Sequence, residues 1–109
     1  MAQFDVHKNI GKQRDAIPFV VVVQSSLYDG YRRRVVVPLV RRSTLDRTAA
    51  FLDTPLNPVF MIKGIKVVLH PLEMVSVATE QLGEKVATLA QEGDRIVAAL
   101  DELLTRAWA

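Results

Sequence analysis

The chain contains no cysteine among its 109 residues, which excludes disulfide bridges and thiolate metal sites. A chain without cysteine suits a reducing compartment, so we expect a cytoplasmic location. The N-terminus lacks the basic start and the apolar run that are typical of a signal peptide. The longest apolar stretch, residues 17–23, is far shorter than the roughly 20 residues of a membrane-spanning helix, so no membrane contact is expected.

Catalytic signatures are missing as well. The sequence contains no P-loop, no HExxH and no GxSxG, and Gly11 and Gly30 stand alone rather than in a phosphate-binding loop. The only histidines, His7 and His70, occur at the ends of predicted strands with no partner nearby in sequence. Acid–base catalysis needs titratable groups gathered in one cleft. We therefore expect no enzyme activity, no metal and no cofactor.

The net charge is only +2, but it is unevenly distributed. Residues 1–50 carry nine Lys and Arg against four Asp and Glu, whereas residues 51–109 carry five against eight. Two interpretations stay open: arginines that are simply solvated on exposed strand faces, or a basic surface for an acidic protein or nucleic acid. Aromatic residues make up 6% of the chain, so the stacking platform typical of single-strand binding is not indicated.

The chain does contain enough apolar residues for a core. Hydrophobic residues make up 50% and charged residues 24%, the composition of one folded domain that spans residues 1–109. Short β-branched and alternating segments predict strands at residues 3–7, 17–24, 31–40, 59–62 and 65–70. The second and third strands, and likewise the fourth and fifth, are expected to form antiparallel hairpins. Short strands joined by turns predict a small barrel rather than a parallel α/β sheet.

The remaining segments before the C-terminal region are less regular. Pro38 cannot donate a ladder hydrogen bond, which predicts an edge strand or a bulge at this position. Residues 43–52 have mixed periodicity and are interpreted as a loop or a single helical turn. Residues 53–58 contain two prolines and predict a loop, and residues 71–78 predict a short strand or an irregular connection.

The pattern changes at about Glu80. Apolar residues then recur at steps of three and four, which predicts an amphipathic helix about 30–38 Å long at ~1.5 Å per residue. Its apolar stripe consists of Leu82, Val86, Leu89, Ile96, Leu100, Leu103 and Ala107. Gly93 interrupts the stripe and predicts a kink or the close approach of another backbone. The stripe packs either on the same chain or on a second copy.

Trp108 is the second-last residue, at a position where chains usually fray. One interpretation is that it docks on its own barrel or on a dimer mate. The other is that it anchors a partner protein, because tryptophan is enriched among interface hot spots.

Four stretches of the sequence resemble the CcdB family of plasmid and chromosomal toxins. They are QFDVH (3–7), VVVVQSSLYDGYRRRVVVPL (20–39), LNPVFMIKG (56–64) and MVSVATEQLGEKVATLAQEGDRIVAALDELL (74–104). The resemblance is specific because these motifs occur in a fixed order. VQS (23–25) is followed by the arginines, PL (38–39), LGE (82–84) and a late apolar helical pattern.

The resemblance implies a homodimer of small SH3-like barrels, each with a C-terminal helix, a fold shared with MazF-type ribonucleases. It implies a type II toxin that is not an enzyme, binds the DNA gyrase A subunit and traps the cleaved gyrase–DNA complex. It also implies a CcdA-like antitoxin that neutralises the toxin. Toxin and antitoxin together repress their own operon, so operator DNA is contacted only indirectly, through the antitoxin.

The gyrase-contacting positions of the family correspond to residues in two parts of this chain. An adjacent pair in the loop after VQS falls on Leu27 and Tyr28, and a polar position of the last helix falls on Asp101. The family's chain end, an aromatic residue followed by Trp-Gly-Ile, corresponds to Trp108 and Ala109.

This chain also departs from the family pattern. Tyr28 replaces an apolar residue, and the sequence ends in TRAWA (105–109), with its tryptophan nearly one turn later. Two alternative functions therefore stay open. One is a CcdB-fold homologue that binds antitoxin but has lost or changed its target. The other is a MazF-like ribonuclease that cleaves mRNA, with Arg32–Arg34 or Arg41 and Arg42 along a phosphate path.

Overall fold

β-Branched residues form the centre of the structure, as their preference for extended backbone predicts. The computed structural model describes residues 2–45 and 53–105, and in this part of the chain seven strands form one antiparallel sheet. The elements are β1 (Asp5–Asn9), β2 (Phe19–Val22), β3 (Arg33–Arg41), β4 (Val59–Ile62), β5 (Ile65–Leu69), β6 (Val75–Ala78), β7 (Leu82–Thr88) and the helix α1 (Gly93–Leu104). The expected fold class, a mainly β chain with a small barrel-like sheet and a C-terminal helix, is confirmed, and the sheet forms a half-barrel.

β3 is the strand that holds the sheet together. The strands follow the order β4-β5-β3-β2-β1-β7, and β6 pairs with β3 on the same edge as β5. Along β3, Pro38 lies between the residues that pair with β6 and those that pair with β5. Its carbonyl accepts a hydrogen bond from the His70 N–H at 3.1 Å on that edge. The prediction of an edge strand or a bulge is therefore wrong. Pro38 is tolerated inside the sheet because its missing N–H faces the point where β3 changes partner.

The core lies between one face of the sheet and one side of α1. Val6, Val21 and Val37 are opposite one another on three neighbouring strands and are fully buried. Ile96 and Ala99 bring α1 onto this face and are equally inaccessible. Burial of a valine or isoleucine side chain contributes about 1.5–3 kcal/mol. These contacts fix α1 against the sheet and leave its opposite side exposed.

The helix begins later than the periodicity predicts. Residues 82–88 form β7, which pairs with β1, and α1 covers only Gly93–Leu104, about 18 Å at ~1.5 Å per residue. The β1–β7 pairing contains two register shifts, one on either side of His7, and each shift changes which side chains face the core. Leu82 and Val86 therefore have helix-like spacing inside an irregular strand. For residues 80–92 the helix prediction is wrong.

Gly93 is the first residue of α1 rather than a kink inside a longer helix. A Cβ at this position would lie 2.7 Å from Cε2 of Phe4, so the ring packs where a side chain would stand. Phe4 has a φ of 71°, in the left-handed region that bulky residues rarely adopt. Its N–H donates to the Val22 carbonyl at 2.6 Å, and its carbonyl accepts from the Leu89 N–H at 2.8 Å. The close approach at Gly93 is thus made by a ring, not by a backbone.

The two predicted hairpins are confirmed. β2 pairs with β3 and β4 pairs with β5, both antiparallel. Lys63 and Gly64 in the second turn have φ of 50° and 79°, as two-residue hairpin turns of the primed types require. β1 begins two residues later than predicted, and residues 71–78 divide into a short 3-10 turn, Pro71–Glu73, and β6.

The loops lie where the sequence places them. Residues 53–58 are irregular, as expected. Of the segment 43–52 the structure describes only residues 43–45, and a 3-10 turn covers Arg42–Thr44. Among the described residues, no helix has the length and apolar character needed to cross a membrane.

Candidate partner-binding site

The loop between β2 and β3, residues 23–32, exposes three large, mainly apolar side chains. Leu27, Tyr28 and Tyr31 are 86%, 52% and 66% exposed. Leu27 and Tyr28 lie on one 3-10 turn, Ser26–Tyr28, so two of the predicted site residues are side by side at the surface. Exposed apolar side chains on a loop offer no catalytic chemistry, but they suit contact with another protein.

Polar side chains of the VQS segment hold this loop. The Ser25 Oγ accepts a hydrogen bond from the Leu27 N–H at 3.2 Å. The Gln24 side-chain amide donates to the Tyr28 carbonyl at 3.1 Å, and its oxygen accepts from the Val35 N–H at 3.1 Å. Such side-chain bonds to backbone groups replace the ladder bonds that the loop lacks. The VQS segment is therefore the frame on which Leu27 and Tyr28 are presented.

Arg34 holds the same loop from inside the protein. It is 5% exposed, and its guanidinium donates to the carbonyls of Asp29 at 2.7 Å, of Arg33 at 2.9 Å and of Tyr31. Its Nε lies 3.8 Å from the Asp29 carboxylate. A planar group with five N–H donors suits such a set of carbonyl acceptors. The turn at residues 28–31 is consequently fixed by a buried charge.

The adjacent arginines of this region do not form one cationic surface among the described residues. Arg32 pairs with Glu80 at 3.2 Å, whereas Arg33 hydrogen-bonds to β6 and Arg34 is buried. The pKa of Glu80 is lowered from its ordinary value, first by a backbone hydrogen bond and second by Arg32. Arg41 lies at the opposite end of β3. The phosphate path that the ribonuclease hypothesis requires is not assembled from these side chains.

Asp101 lies on a different element, the exposed side of α1. Val97 and Leu104 flank it on the same helical face, at spacings of four and three residues, and are 45% and 60% exposed. The Asp101 carbonyl accepts a hydrogen bond from the Thr105 N–H at 2.9 Å and so closes the end of the helix. This face of α1 therefore combines one carboxylate with two apolar side chains that the core does not cover.

The other two predicted site residues, Trp108 and Ala109, lie outside the described residues, so their contacts stay predictions. Beside the predicted site residues, sequence reasoning missed three exposed apolar neighbours: Tyr31, Val97 and Leu104. The strand prediction includes Tyr31, whereas β3 begins at Arg33. A tyrosine directly after the glycine of a turn is a signal that could have placed it in the loop.

The described residues offer no metal site. Within residues 2–45 and 53–105, no three His, Asp or Glu side chains are grouped so that they could hold an ion. His7 is 4% exposed, and its Nδ1 lies 2.9 Å from the Gly83 carbonyl. Its contact links β1 to β7.

A family model described as CcdB protein matches residues 3–105. No curated protein matches the chain significantly. The matched region includes every strand, the β2–β3 loop with its VQS frame and the whole of α1. The chain therefore belongs to the CcdB family, the toxins of toxin–antitoxin systems.

Proposed function

We propose that this chain is the toxin of a type II toxin–antitoxin module and acts in the cytoplasm by binding the DNA gyrase A subunit and trapping the cleaved gyrase–DNA complex. The observation that supports the proposal is the exposed pair Leu27 and Tyr28 on a loop that hydrogen bonds from the Arg34 and Gln24 side chains hold in place. Side chains that are ordered before binding lose little entropy when they bind. Because this action needs no catalytic group, the toxin is not an enzyme and uses no cofactor.

α1 supplies the second part of the proposed gyrase contact. Asp101 is exposed on it, and Trp108 and Ala109 follow at the end of the chain. An aromatic anchor beside a polar rim is the usual composition of a tight protein contact. The proposed site therefore combines a loop pair with a chain end.

The toxin is proposed to be a homodimer. Apart from the proposed gyrase contact, a single copy exposes the apolar side chains of Met61 on β4 and Val75 on β6, which are 60% and 49% exposed. Burial of such surface against a second copy is favourable at about 25 cal/mol per Å². Sedimentation of the purified chain tests this proposal: a monomer at micromolar concentration would contradict it.

A CcdA-like antitoxin is the second proposed partner. Such antitoxins use disordered segments, which wrap a large surface and order as they bind. We expect the antitoxin to carry the operator-binding domain, so the toxin reaches DNA only through it. Isolated toxin should then leave operator DNA unshifted in an electrophoretic assay, and the toxin–antitoxin complex should shift it.

Gyrase poisoning is tested with purified gyrase and supercoiled plasmid. The wild-type chain should accumulate linear DNA after detergent and protease treatment, and Leu27→Ala should need about tenfold more toxin for the same yield. Leu72→Ala is the matched control, because Leu72 is 71% exposed on the separate turn Pro71–Glu73 and should behave as wild type. No cleaved DNA at high toxin excess would contradict the proposal.

A second candidate is a homologue that binds antitoxin but has lost or changed its target. Two sequence features favour it: Tyr28 in place of an apolar residue, and Ala109 rather than glycine directly after Trp108. This candidate predicts healthy growth when the chain is expressed without antitoxin. Growth arrest that Trp108→Ala relieves would rule it out. The ribonuclease alternative is tested separately, by incubation with single-stranded RNA, which we expect to stay intact.

A further inference from the structure

We propose that the cavity between β1, β2, β3, β6 and β7 is a binding site for a small uncharged molecule with an apolar body and one hydroxyl group, such as a phenol. The cavity has a volume of about 180 Å³. Its lining includes none of the described residues of the proposed gyrase contact, so the inference goes beyond the proposed function and does not depend on it.

Five strands and one turn surround the cavity. Hydrogen-bonded pairing runs in the order β7-β1-β2-β3-β6, and the 3-10 turn Thr79–Gln81 joins β6 back to β7. The apolar part of the lining includes Val20 of β2, Val36 and Pro38 of β3, Val77 of β6 and Leu82 of β7. Cavities at the mouths of β-barrels are common places for small-molecule sites. Sheet hydrogen bonds hold these walls, so the cavity does not need a partner in order to form.

The cavity lies on the side of the sheet that α1 does not cover. Val21 and Val37 pack in the core with Ile96 of α1. Because neighbouring residues of a strand face opposite sides of a sheet, Val20 and Val36 project from the other face. An apolar protein cavity of about 150 Å³ stays free of water and binds benzene. A cavity of about 180 Å³ with a largely apolar lining therefore has room for one aromatic ring with a small substituent.

The polar side chains that β1 contributes to the lining already have partners. The Asn9 Nδ2 donates to the Ile17 carbonyl at 2.8 Å, and the Asn9 Oδ1 accepts from the Gly11 N–H at 3.0 Å. The Lys8 Nζ lies 3.1 Å from the Glu84 carboxylate. A charged ligand would lose its hydration without gaining an ion partner, which is costly. The lining therefore favours an uncharged ligand.

A buried nitrogen on the same face accounts for the hydroxyl group. His7 pairs with Val20 across β1 and β2, so both side chains leave the sheet on the face that lines the cavity. His7 is 4% exposed, and its Nε2 is buried with no hydrogen-bond partner among the described residues. Most buried polar atoms have such a partner. A hydroxyl group both donates and accepts, so it pairs with Nε2 in either tautomer of the ring.

NMR titration of the full chain with phenol, toluene and benzoate tests the class of ligand. Phenol should bind at least about threefold more tightly than toluene, because it adds one hydrogen bond to a ring of the same size. Benzoate should not bind measurably. In a chain with isotope-labelled histidine, the nitrogen signal of the His7 Nε2 should move with phenol and stay in place with toluene. His70, the other histidine, is the internal reference.

Two variants locate the site. Val20→Phe and Val77→Phe each place a ring in the cavity and should weaken phenol binding about tenfold or more. Val97→Phe makes the same change on the exposed side of α1 and should bind phenol like the wild type. Melting temperatures show which variants are folded, and either cavity variant alone suffices.

Phenol binding that a folded cavity variant loses and Val97→Phe retains supports the inference. Three results would overturn it: no phenol binding to the wild-type chain, binding that a folded cavity variant does not weaken, or toluene binding as tight as that of phenol. None of these results changes the proposed function, which the gyrase assay tests separately.

Discussion

At the scale of single residues, the buried guanidinium of Arg34 decides whether the β2–β3 loop keeps its shape. Arg34→Met retains most of the side-chain length but leaves the carbonyls of Asp29 and Tyr31 without their donor. Partly buried acceptors left without a donor, and a lost charge partner for Asp29, should lower the free energy of unfolding by about 2–4 kcal/mol. Urea denaturation of the two proteins measures this difference.

Arg32→Met is the matched control for this change. The Arg32 side chain is 88% exposed and, in the part of the chain that the structure describes, its one ion pair is with the exposed Glu80. Its loss should therefore change the free energy of unfolding by less than about 1 kcal/mol. Equal effects of the two variants would show that Arg34 does not hold the loop.

These arginines also show which residue-scale features could be predicted. Strand alternation separates Arg33 from its neighbours, and the structure has Arg33 exposed and Arg34 buried. Alternation cannot predict that the Arg34 side chain is buried. A charged side chain is buried only where hydrogen-bond acceptors surround it, and here these are carbonyls that come together only when the turn folds. Leu27, Tyr28 and Asp101 were predicted only through the family resemblance, since no pattern distinguishes them from other loop or helix residues.

At the scale of elements, the hairpins were predictable and the start of the helix was not. β2, β3, β4 and β5 consist of apolar, largely β-branched runs next to turn residues, so composition and turn chemistry agree. β7 is half-exposed and pairs with β1 through two register shifts, so its apolar residues do not alternate. The periodicity of the apolar residues therefore wrongly predicts that β7 is part of the helix that follows it.

Gly83→Ala distinguishes the strand from a helix by the sign of its effect. In a helix, alanine would raise the free energy of unfolding by about 1 kcal/mol relative to glycine. In β7 a Cβ at Gly83 would lie 2.6 Å from the Lys8 carbonyl oxygen, and β1 would have to move. We therefore expect a decrease of about 1–3 kcal/mol in a urea denaturation experiment.

Gly30→Ala is the control for Gly83→Ala, because a Cβ at Gly30 meets no heavy atom within 4 Å. Its free energy of unfolding should stay within about 0.5 kcal/mol of wild type. A stability gain for Gly83→Ala would contradict the β1–β7 pairing.

At the scale of the whole molecule, the structure shows which of the basic side chains are buried, which are paired and which are free of ion pairs among the described residues. In the basic half, Arg34 is buried and Arg32 is paired with Glu80. Arg42 and Lys66 line one cavity at the other end of β3, and no acidic side chain among the described residues forms an ion pair with either. Among the described residues, Arg42 and Lys66 therefore form one pair of neighbouring cations at this end of the sheet that no carboxylate neutralises through an ion pair.

This distribution predicts that antitoxin binding depends on salt and on the end of the sheet that holds Arg42 and Lys66. The electrostatic attraction between this end and an acidic antitoxin segment would weaken with salt, because the Debye length falls from about 10 Å at 0.1 M to about 3 Å at 1 M. We expect the double variant Arg42→Gln/Lys66→Gln to bind less tightly at low salt and to lose most of the salt dependence. Arg32→Gln, at the opposite end of β3, should retain it. An affinity that does not change with salt, or an equal loss in both variants, would contradict a localised basic contact.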